Sequence, residues 1–271
     1  MRSSATVSPL LEEKSPKNYL LIESQKYNFF LSSGNKLGQK TVIDCKYGCL
    51  ILFLHLMDDK NKTRYFRYHL LKWFEVNGRN FPWRREGVTN FELVFSEVLL
   101  QRTRAETVAQ YYPVFFGRYP DWNHLVQATD EELEEVFKPL GLYKHRAKRM
   151  RKIIDEYKQK NGELPKNRDE LNDSSFASLY TSNAYELFVL KRRAPLIDVN
   201  MSRLLKRYFI PGEVQDVRND KEIQELAKKV TNVKACKELN WAILDFSALV
   251  CKVRNPLCEE CVLRFKCSFQ K

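Results

Sequence analysis

Four cysteines near the end of the chain place the tightest constraint on how it can fold. Of the seven cysteines in 271 residues, four lie in the final 21, separated by six, two and five residues: Cys251, Cys258, Cys261 and Cys267. Four thiolates this close together can bind one metal centre, because Cys258 and Cys261 reach it from a single turn. A 4Fe-4S cluster and a tetrahedral zinc ion both use such ligands, and the uneven loops favour the cluster. The odd cysteine count argues against a disulfide framework.

The charge of the chain indicates an anionic partner. It has 46 Lys and Arg against 34 Asp and Glu, a net charge of +12, and its 44% hydrophobic content excludes a disordered chain. Lys252 and Arg254 lie between the first two clustered cysteines, so a metal-bound loop would present two cations to a phosphate backbone. A solvated basic loop is the alternative.

The N-terminal residues 1–62 differ from the remainder and are predicted to form a leader, either an appendage or an over-extended reading frame. Up to residue 56 they show no sustained helical period. The uncharged apolar stretch from Tyr47 to Met57 is too short to span a bilayer, so we expect no membrane association. Glu12 and Glu13 argue against a secretory or transit peptide, and we expect an intracellular protein.

Helical signals dominate after Met57, and no run alternates as several strands would. Thr89 and Asn90 can cap a helix through Leu100, and Thr129 with Glu132 forms a capping-box pattern. The further helices predicted are Thr103 onward, 145–158, 182–190, 199–208, 221–230 and 239–250. The fold class predicted is all-α, with many short helices.

The sequence resembles the helix-hairpin-helix (HhH-GPD) DNA glycosylases, the family of endonuclease III, A/G-specific adenine glycosylase and thymine-DNA mismatch glycosylase. The pieces that carry the resemblance are GRNFPWR (78–84), SEVLLQRT (96–103), PLGL (139–142), GELP (162–165), IDVN (197–200), WAILDFSALV (241–250) and the cysteine cluster with its 4Fe-4S spacing. They occur in the family's order over residues 63–271. The thymine mismatch branch is the most similar, because its chains also end just after the cluster.

The resemblance implies two helical domains with a DNA cleft between them. Residues 63–90 with 196–271 would form the iron-sulfur cluster domain, and residues 91–195 a middle domain with a degenerate helix-hairpin-helix. It further implies a monomer that binds double-stranded DNA inside the cell, with the target nucleotide rotated out of the duplex into the cleft.

Two carboxylates match the family's catalytic positions. Asp198, in IDVN, would stabilise the positive charge that develops on deoxyribose when the N-glycosidic bond breaks, and would orient the attacking water. It would also serve as the N-cap of the next helix. Glu97 could protonate the departing base if burial raises its pKa, whereas an exposed helix glutamate is the alternative.

Position 185 bears on the reaction type. Aligning Leu179 with the start of the family hairpin places Tyr185 where bifunctional members carry a lysine, and tyrosine cannot form a Schiff base. Simple hydrolysis to an abasic site is therefore predicted, with Tyr185 stacking on or orienting the flipped base. Core packing is the rival role for Tyr185.

Gln101 and Arg102 match the place where the family inserts side chains into the gap left by the flipped nucleotide.

The family hairpin usually reads LPGVG, but here Leu179 is followed by residues without glycine: Tyr180, Thr181, Ser182 and Asn183. The usual main-chain contact with phosphate is then in doubt. DNA would instead be held through Thr181, Ser182, Asn183 and the basic residues 191–193, or the substrate would be unusual.

These features predict a monofunctional glycosylase that removes a mispaired base, thymine or uracil opposite guanine. Three alternatives stay open. One is an adenine glycosylase acting on A·G or A·8-oxoguanine, another is a glycosylase for a modified base in foreign DNA, and the third is a non-catalytic DNA-binding relative.

Overall fold

The computed structural model describes residues 45–176, 178–210, 216–217 and 219–270, with side chains from residue 60 onward. Contacts divide the chain into two units, Met1–Leu50 and Ile51–Lys271. Of the first unit only residues 45–50, which are helical, are described. The hydrophobic cores, the cleft and the cysteine module all belong to the second unit.

The described residues are helical and contain no strand, which confirms the all-α prediction. The helices run in the order α1 Cys45–Asn77, α2 Asn90–Leu100, α3 Ala105–Arg118, α4 Trp122–Leu125, α5 Asp130–Phe137, α6 Tyr143–Gln159, α7 Arg168–Asn172, α8 Leu179–Phe188, α9 Val199–Phe209, α10 Lys221–Thr231 and α11 Cys236–Leu249. None of the described helices combines the length and apolar character needed to cross a bilayer.

The predicted helix starts at Thr89 and Thr129 are confirmed. Each hydroxyl accepts the N–H of the residue three positions on, Glu92 or Glu132, and that glutamate accepts the N–H of the threonine. Such capping boxes pair donors that would otherwise lack a partner at a helix start, a contribution of about 1 kcal/mol each. These caps define where α2 and α5 begin.

The prediction that residues 1–56 lack a helix is wrong for residues 45–56, because α1 begins at Cys45. A continuous apolar run carries no period that would mark it as a helix. The rest of the predicted leader, residues 1–44, lies outside the described residues.

Two main hydrophobic cores are formed. The first gathers side chains of α2, α3, α5 and α6 with Phe81 and Trp83, and the second gathers side chains of α1, α9, α10 and α11. Helix α8 contributes Tyr185 to the first core, and its Leu187 and Phe188 pack with Leu196 and Trp241 in a third cluster. The predicted domain boundaries stay a prediction.

A buried ion cluster ties α11 to the segment that follows α1. The Asp245 side chain is fully buried, and Arg79 donates to it from its backbone N and from Nε, both at 2.8 Å. Arg84 donates to the same carboxylate at 2.7 and 3.1 Å. Both carboxylate oxygens are thus fully used, as a buried charge requires.

We expect Asp245→Asn to lower the free energy of unfolding by about 3–5 kcal/mol, because it leaves two arginines without their buried counter-charge. Urea unfolding measures this. Glu106→Gln is the matched control, since Glu106 pairs with the same Arg79 but is 62% exposed, and it should cost less than about 1 kcal/mol. Equal losses for the two variants would contradict the assignment.

Candidate active site

A large cleft with a volume of about 1370 Å³ brings together residues from distant parts of the chain. Its walls come from the segment after α1, the end of α2, the start of α6, the start of α8, the start of α9 and one face of α11. Glu97 and Asp198, the two carboxylates predicted from the sequence, both line it.

Glu97 lies on α2 and is almost completely buried, with 4% of its surface exposed. Burial is the largest of the effects that together raise the pKa of Glu97 from 4.5 to about 7. The Tyr180 hydroxyl and Arg84 act to lower this pKa, whereas the Asp198 carboxylate acts to raise it. Glu97 is therefore able to hold a proton near neutral pH, and the alternative of an exposed helix glutamate is wrong.

Tyr180 is a cleft residue that the sequence analysis did not identify. Its hydroxyl donates to Glu97 Oε2 at 2.7 Å, and its half-buried ring lines the cleft. Burial, together with the neighbouring Glu97 charge, raises the pKa of Tyr180 well above 10, so it stays a phenol. No local sequence signal distinguishes it from Tyr185, because polar and apolar residues of α8 alike are buried.

The backbone ahead of Asp198 is held by two buried amides. Asn183 of α8 donates to the Pro195 carbonyl at 2.9 Å, and Asn240 of α11 accepts the Leu196 N–H at 2.6 Å. Asn240 also donates to the Ala194 carbonyl at 3.1 Å. The extended segment 194–197 is thus anchored on both sides before the chain reaches Asp198.

Asp198 caps α9, as the sequence predicted. Its Oδ1 accepts the N–H groups of Asn200 and Met201 at 2.9 and 2.8 Å, and its Oδ2 accepts Asn200 Nδ2 at 2.8 Å. Burial raises the pKa of Asp198, while these hydrogen bonds and nearby Arg203 oppose the rise. The carboxylate is oriented by its cap role and still lines the cleft.

Tyr185 lies away from the cleft. It is 2% exposed, belongs to the first core and packs against the Phe176 ring at 5.8 Å between centroids. The predicted role of stacking on the base is therefore wrong for Tyr185, and its rival role, core packing, is confirmed.

Thr181, Ser182 and Asn183 do not form a DNA-contacting loop. All three are buried in α8, which begins at Leu179 with Ser178 as its N-cap, rather than at the predicted residue 182. The turn ahead of α8 therefore lies before Ser178. Because no glycines mark the hairpin, its position could not be read from the sequence. The predicted DNA contacts of these buried residues are wrong.

The rim of the cleft carries two non-glycine residues in the left-handed backbone region. Arg102 has φ 58° and is exposed, and Leu142 has φ 51° and is 52% exposed. Left-handed geometry costs about 1–2 kcal/mol for such residues and is often found at functional sites. Gln101 lies beside Arg102, and its side chain accepts a hydrogen bond from Arg149. Leu142 is a second cleft residue that the sequence analysis missed.

The four clustered cysteines are free thiols that line one small cavity against α9 and the apolar side chains of Val250, Leu257 and Leu263. Among the described residues, no three Cys, His, Asp or Glu converge closely enough to hold a single metal ion. Thiolates around tetrahedral zinc lie about 4 Å apart, because each Zn–S bond is about 2.3 Å. All four thiols nevertheless line one cavity, so they are placed to hold a common group.

Arg207 of α9 fixes the loop between the first two clustered cysteines. It donates to the carbonyls of Lys252 at 2.7 Å and Val253 at 3.1 Å, and its Nη1 lies 3.5 Å from Cys251 Sγ. The side chains of Lys252 and Arg254 are exposed. They are therefore available to a ligand outside the protein.

Comparisons with known proteins agree with this arrangement. Residues 95–233 match the family model described as HhH-GPD superfamily base excision DNA repair protein. The chain is 30% identical over 220 residues to the thymine/uracil-DNA glycosylase of Methanothermobacter thermautotrophicus, covering 79% of this chain and 97% of that protein. It is 29% identical over 208 residues to the adenine DNA glycosylase of Buchnera aphidicola, covering 74% and 58%. The solved structure of a thermostable thymine-DNA glycosylase is similar with a TM-score of 0.71 at 28% identity, covering 78% and 98%.

We expect the stability of the protein to fall between about pH 4.5 and pH 7 because of Glu97. Its pKa is higher in the folded chain, so its contribution is complete below the unfolded pKa and is lost as the pH rises through about 7. The loss is at most about 3 kcal/mol. In urea unfolding at several pH values, the Glu97→Gln variant should not lose this stability as the pH rises.

Glu92→Gln is the control for this measurement. Glu92 lies on the same helix, and although burial acts to raise its pKa, hydrogen bonds from Thr89 and Tyr112 give a net lowering. This variant should keep the loss of stability between pH 4.5 and 7. A Glu97→Gln profile parallel to the wild type would contradict the assignment.

Proposed function

The chain belongs to the HhH-GPD superfamily of base excision DNA repair proteins, and we propose that it is a monofunctional DNA glycosylase. It would bind double-stranded DNA as a monomer, hydrolyse the N-glycosidic bond of a flipped base and leave an abasic site. The observation that carries this proposal is one cleft that holds Glu97, Tyr180 and Asp198 and, among the described residues, no lysine.

Glu97 supplies the proton in this mechanism. A base leaves more readily when the negative charge that develops on it is neutralised by a proton or stabilised by a hydrogen bond. A general acid works best when its pKa lies near the working pH. The pKa of Glu97, about 7, meets that condition. Tyr180 orients the carboxyl group through its 2.7 Å hydrogen bond and offers an aromatic face for the flipped base.

Asp198 acts on the sugar. As the glycosidic bond breaks, positive charge develops at C1′ of the deoxyribose, and a carboxylate held rigidly beside it stabilises that charge and directs the attacking water. Three hydrogen bonds hold the Asp198 carboxylate in one orientation before substrate arrives. Such preorganisation avoids rearrangement during the reaction.

The absence of a lysine among the cleft residues supports simple hydrolysis. Strand cleavage by bifunctional glycosylases needs an amine that attacks the sugar and forms a Schiff base. Tyr180 lines the cleft beside Glu97, and a phenol cannot form that intermediate. We therefore expect an intact strand with an abasic site.

Thymine or uracil opposite guanine is the proposed substrate. The similarity to the thymine/uracil-DNA glycosylase over nearly all of that protein supports this choice. Adenine is the second candidate, supported by the similarity to an adenine DNA glycosylase. Gln101, Arg102 and the exposed Leu142 would fill the space left by the flipped base, while Lys252 and Arg254 would contact phosphates.

We also propose that Cys251, Cys258, Cys261 and Cys267 bind a 4Fe-4S cluster. The common cavity supports one group shared by all four thiols, and the uneven spacing of six, two and five residues favours the cluster over zinc. When bound, the cluster supplies a rigid link that joins the loops of the module. Arg207, already bonded to the carbonyls of Lys252 and Val253, then presents that loop to DNA.

The glycosylase proposal is tested with duplexes that carry T·G, U·G, A·G, A·8-oxoguanine or a modified cytosine. We expect strand breaks at T·G or U·G only after alkali treatment, and a loss of about a hundred- to a thousandfold in single-turnover rate for Asp198→Asn, as for other preorganised stabilising groups. Tyr185→Phe is the control and should keep its rate, since Tyr185 lies outside the cleft. Breaks without alkali would exclude the monofunctional mechanism.

The cluster proposal is tested by measuring iron, acid-labile sulfide and zinc in the purified protein. We expect four irons and four sulfides per chain, and loss of both in Cys258→Ser. Cys236→Ser is the matched control, because Cys236 is buried but lies outside the cysteine cavity. One zinc per chain without sulfide would refute the cluster.

A further inference from the structure

A stripe of cations runs along one face of α6. His145, Lys148, Arg149 and Lys152 are spaced i, i+3, i+4 and i+7, so they share one side of the helix. They line a second cavity together with Ser174 and Ser175, from the turn that precedes α8. His145 and Arg149 also line the active-site cleft, so the two cavities share a wall.

Of these four residues, Lys148 and Lys152 carry charges that do not stabilise the fold. Lys148 and Lys152 lie four residues apart on α6, and like charges at this spacing repel each other. Elsewhere lysines are paired, as Lys160 is with Glu156 and Lys166 with Glu163. For Lys148 and Lys152 no hydrogen bond or ion pair is found within the described part of the chain.

The turn facing this stripe has few hydrogen-bond donors left for an anion. The Ser175 N–H donates to Glu156 Oε2 at 2.6 Å, and the Ser174 hydroxyl donates to the Leu171 carbonyl at 2.8 Å. Some hydrogen-bond donors of this glycine-free turn are therefore already used within the protein. An anion bound here would have to be neutralised by the side chains of α6.

We infer that the α6 stripe binds phosphates of the DNA backbone beside the flipped nucleotide, with Lys148 and Lys152 as direct phosphate contacts. The inference rests on the proposed function in that DNA is the ligand. The shared wall supports it, because the two cavities adjoin at His145 and Arg149, so a strand bound in the cleft would have this face beside it. The side chain of Arg149 is already linked to Gln101 at the cleft rim.

The test measures equilibrium binding to an undamaged duplex at several salt concentrations for Lys148→Ala, Lys152→Ala and the double variant. Each lost phosphate contact should reduce the slope of log K against log salt by about 0.9, which is about eightfold weaker binding at 0.1 M salt. Lys158→Ala is the matched control, because Lys158 is an exposed lysine of the same helix that lines neither cavity. It should leave the slope unchanged.

Unchanged slopes for Lys148→Ala and Lys152→Ala, or an equal reduction in Lys158→Ala, would overturn the inference. Binding to an undamaged duplex does not require excision, so the two proposals fail separately. Reduced slopes without excision of any base would refute the glycosylase proposal alone, whereas excision with unchanged slopes would refute the α6 phosphate site alone.

Discussion

The hydrogen bonds of one helix, α9, hold both Asp198, the proposed catalytic aspartate, and the cysteine module. Asp198 accepts from Asn200, and Asn200 in turn accepts from Arg203 Nη1 at 3.1 Å. Arg203 is 8% exposed, and its other donors end on the carbonyls of Ser247 at 2.9 Å and Cys251 at 3.1 Å. Because an unpaired buried guanidinium is costly, the end of α11 and the first cysteine hold Arg203 in place. The orientation of Asp198 thus depends on how residues 247–251 fold.

The two cleft carboxylates differ in what surrounds them, and this difference separates their proposed roles. Asp198 accepts three hydrogen bonds, two of them from backbone N–H groups at a helix start, which favour the ionised form. Glu97 accepts one, from Tyr180, within the described residues, and burial pushes its pKa up to about 7. Burial raises the pKa of both acids, but at Asp198 three hydrogen bonds oppose the rise, so one cleft holds two carboxyl groups in different environments.

Much of this arrangement could be predicted from local sequence, and the part that could not has a geometric cause. Capping at Thr89 and Asp198 depends on neighbouring residues only, so these helix starts were predictable. The register of α8 depends on where the preceding turn ends, and a turn without glycine gives no local mark of that point. An error of five residues on a helix rotates the chosen side chain by about 140°. Tyr185 was therefore predicted in place of Tyr180, although it faces the core.

Net charge alone locates no binding surface, since the excess of +12 could be spread over the whole chain. In the described structure, exposed lysines at positions 72, 166 and 228 are paired with glutamates three residues away. Because the two charges of each pair largely cancel, these lysines contribute little electrostatic potential at a distance. The first ten residues of α6 contain no acidic side chain, and the one cation there that pairs with an acid, Arg151, does so with Asp130 of α5. Several of the remaining cations, such as Lys144, Lys148 and Lys152, lie four residues apart and repel one another. A pattern that lowers the stability of its own helix is explained best by a ligand of opposite charge, and this face adjoins the cleft proposed to bind DNA.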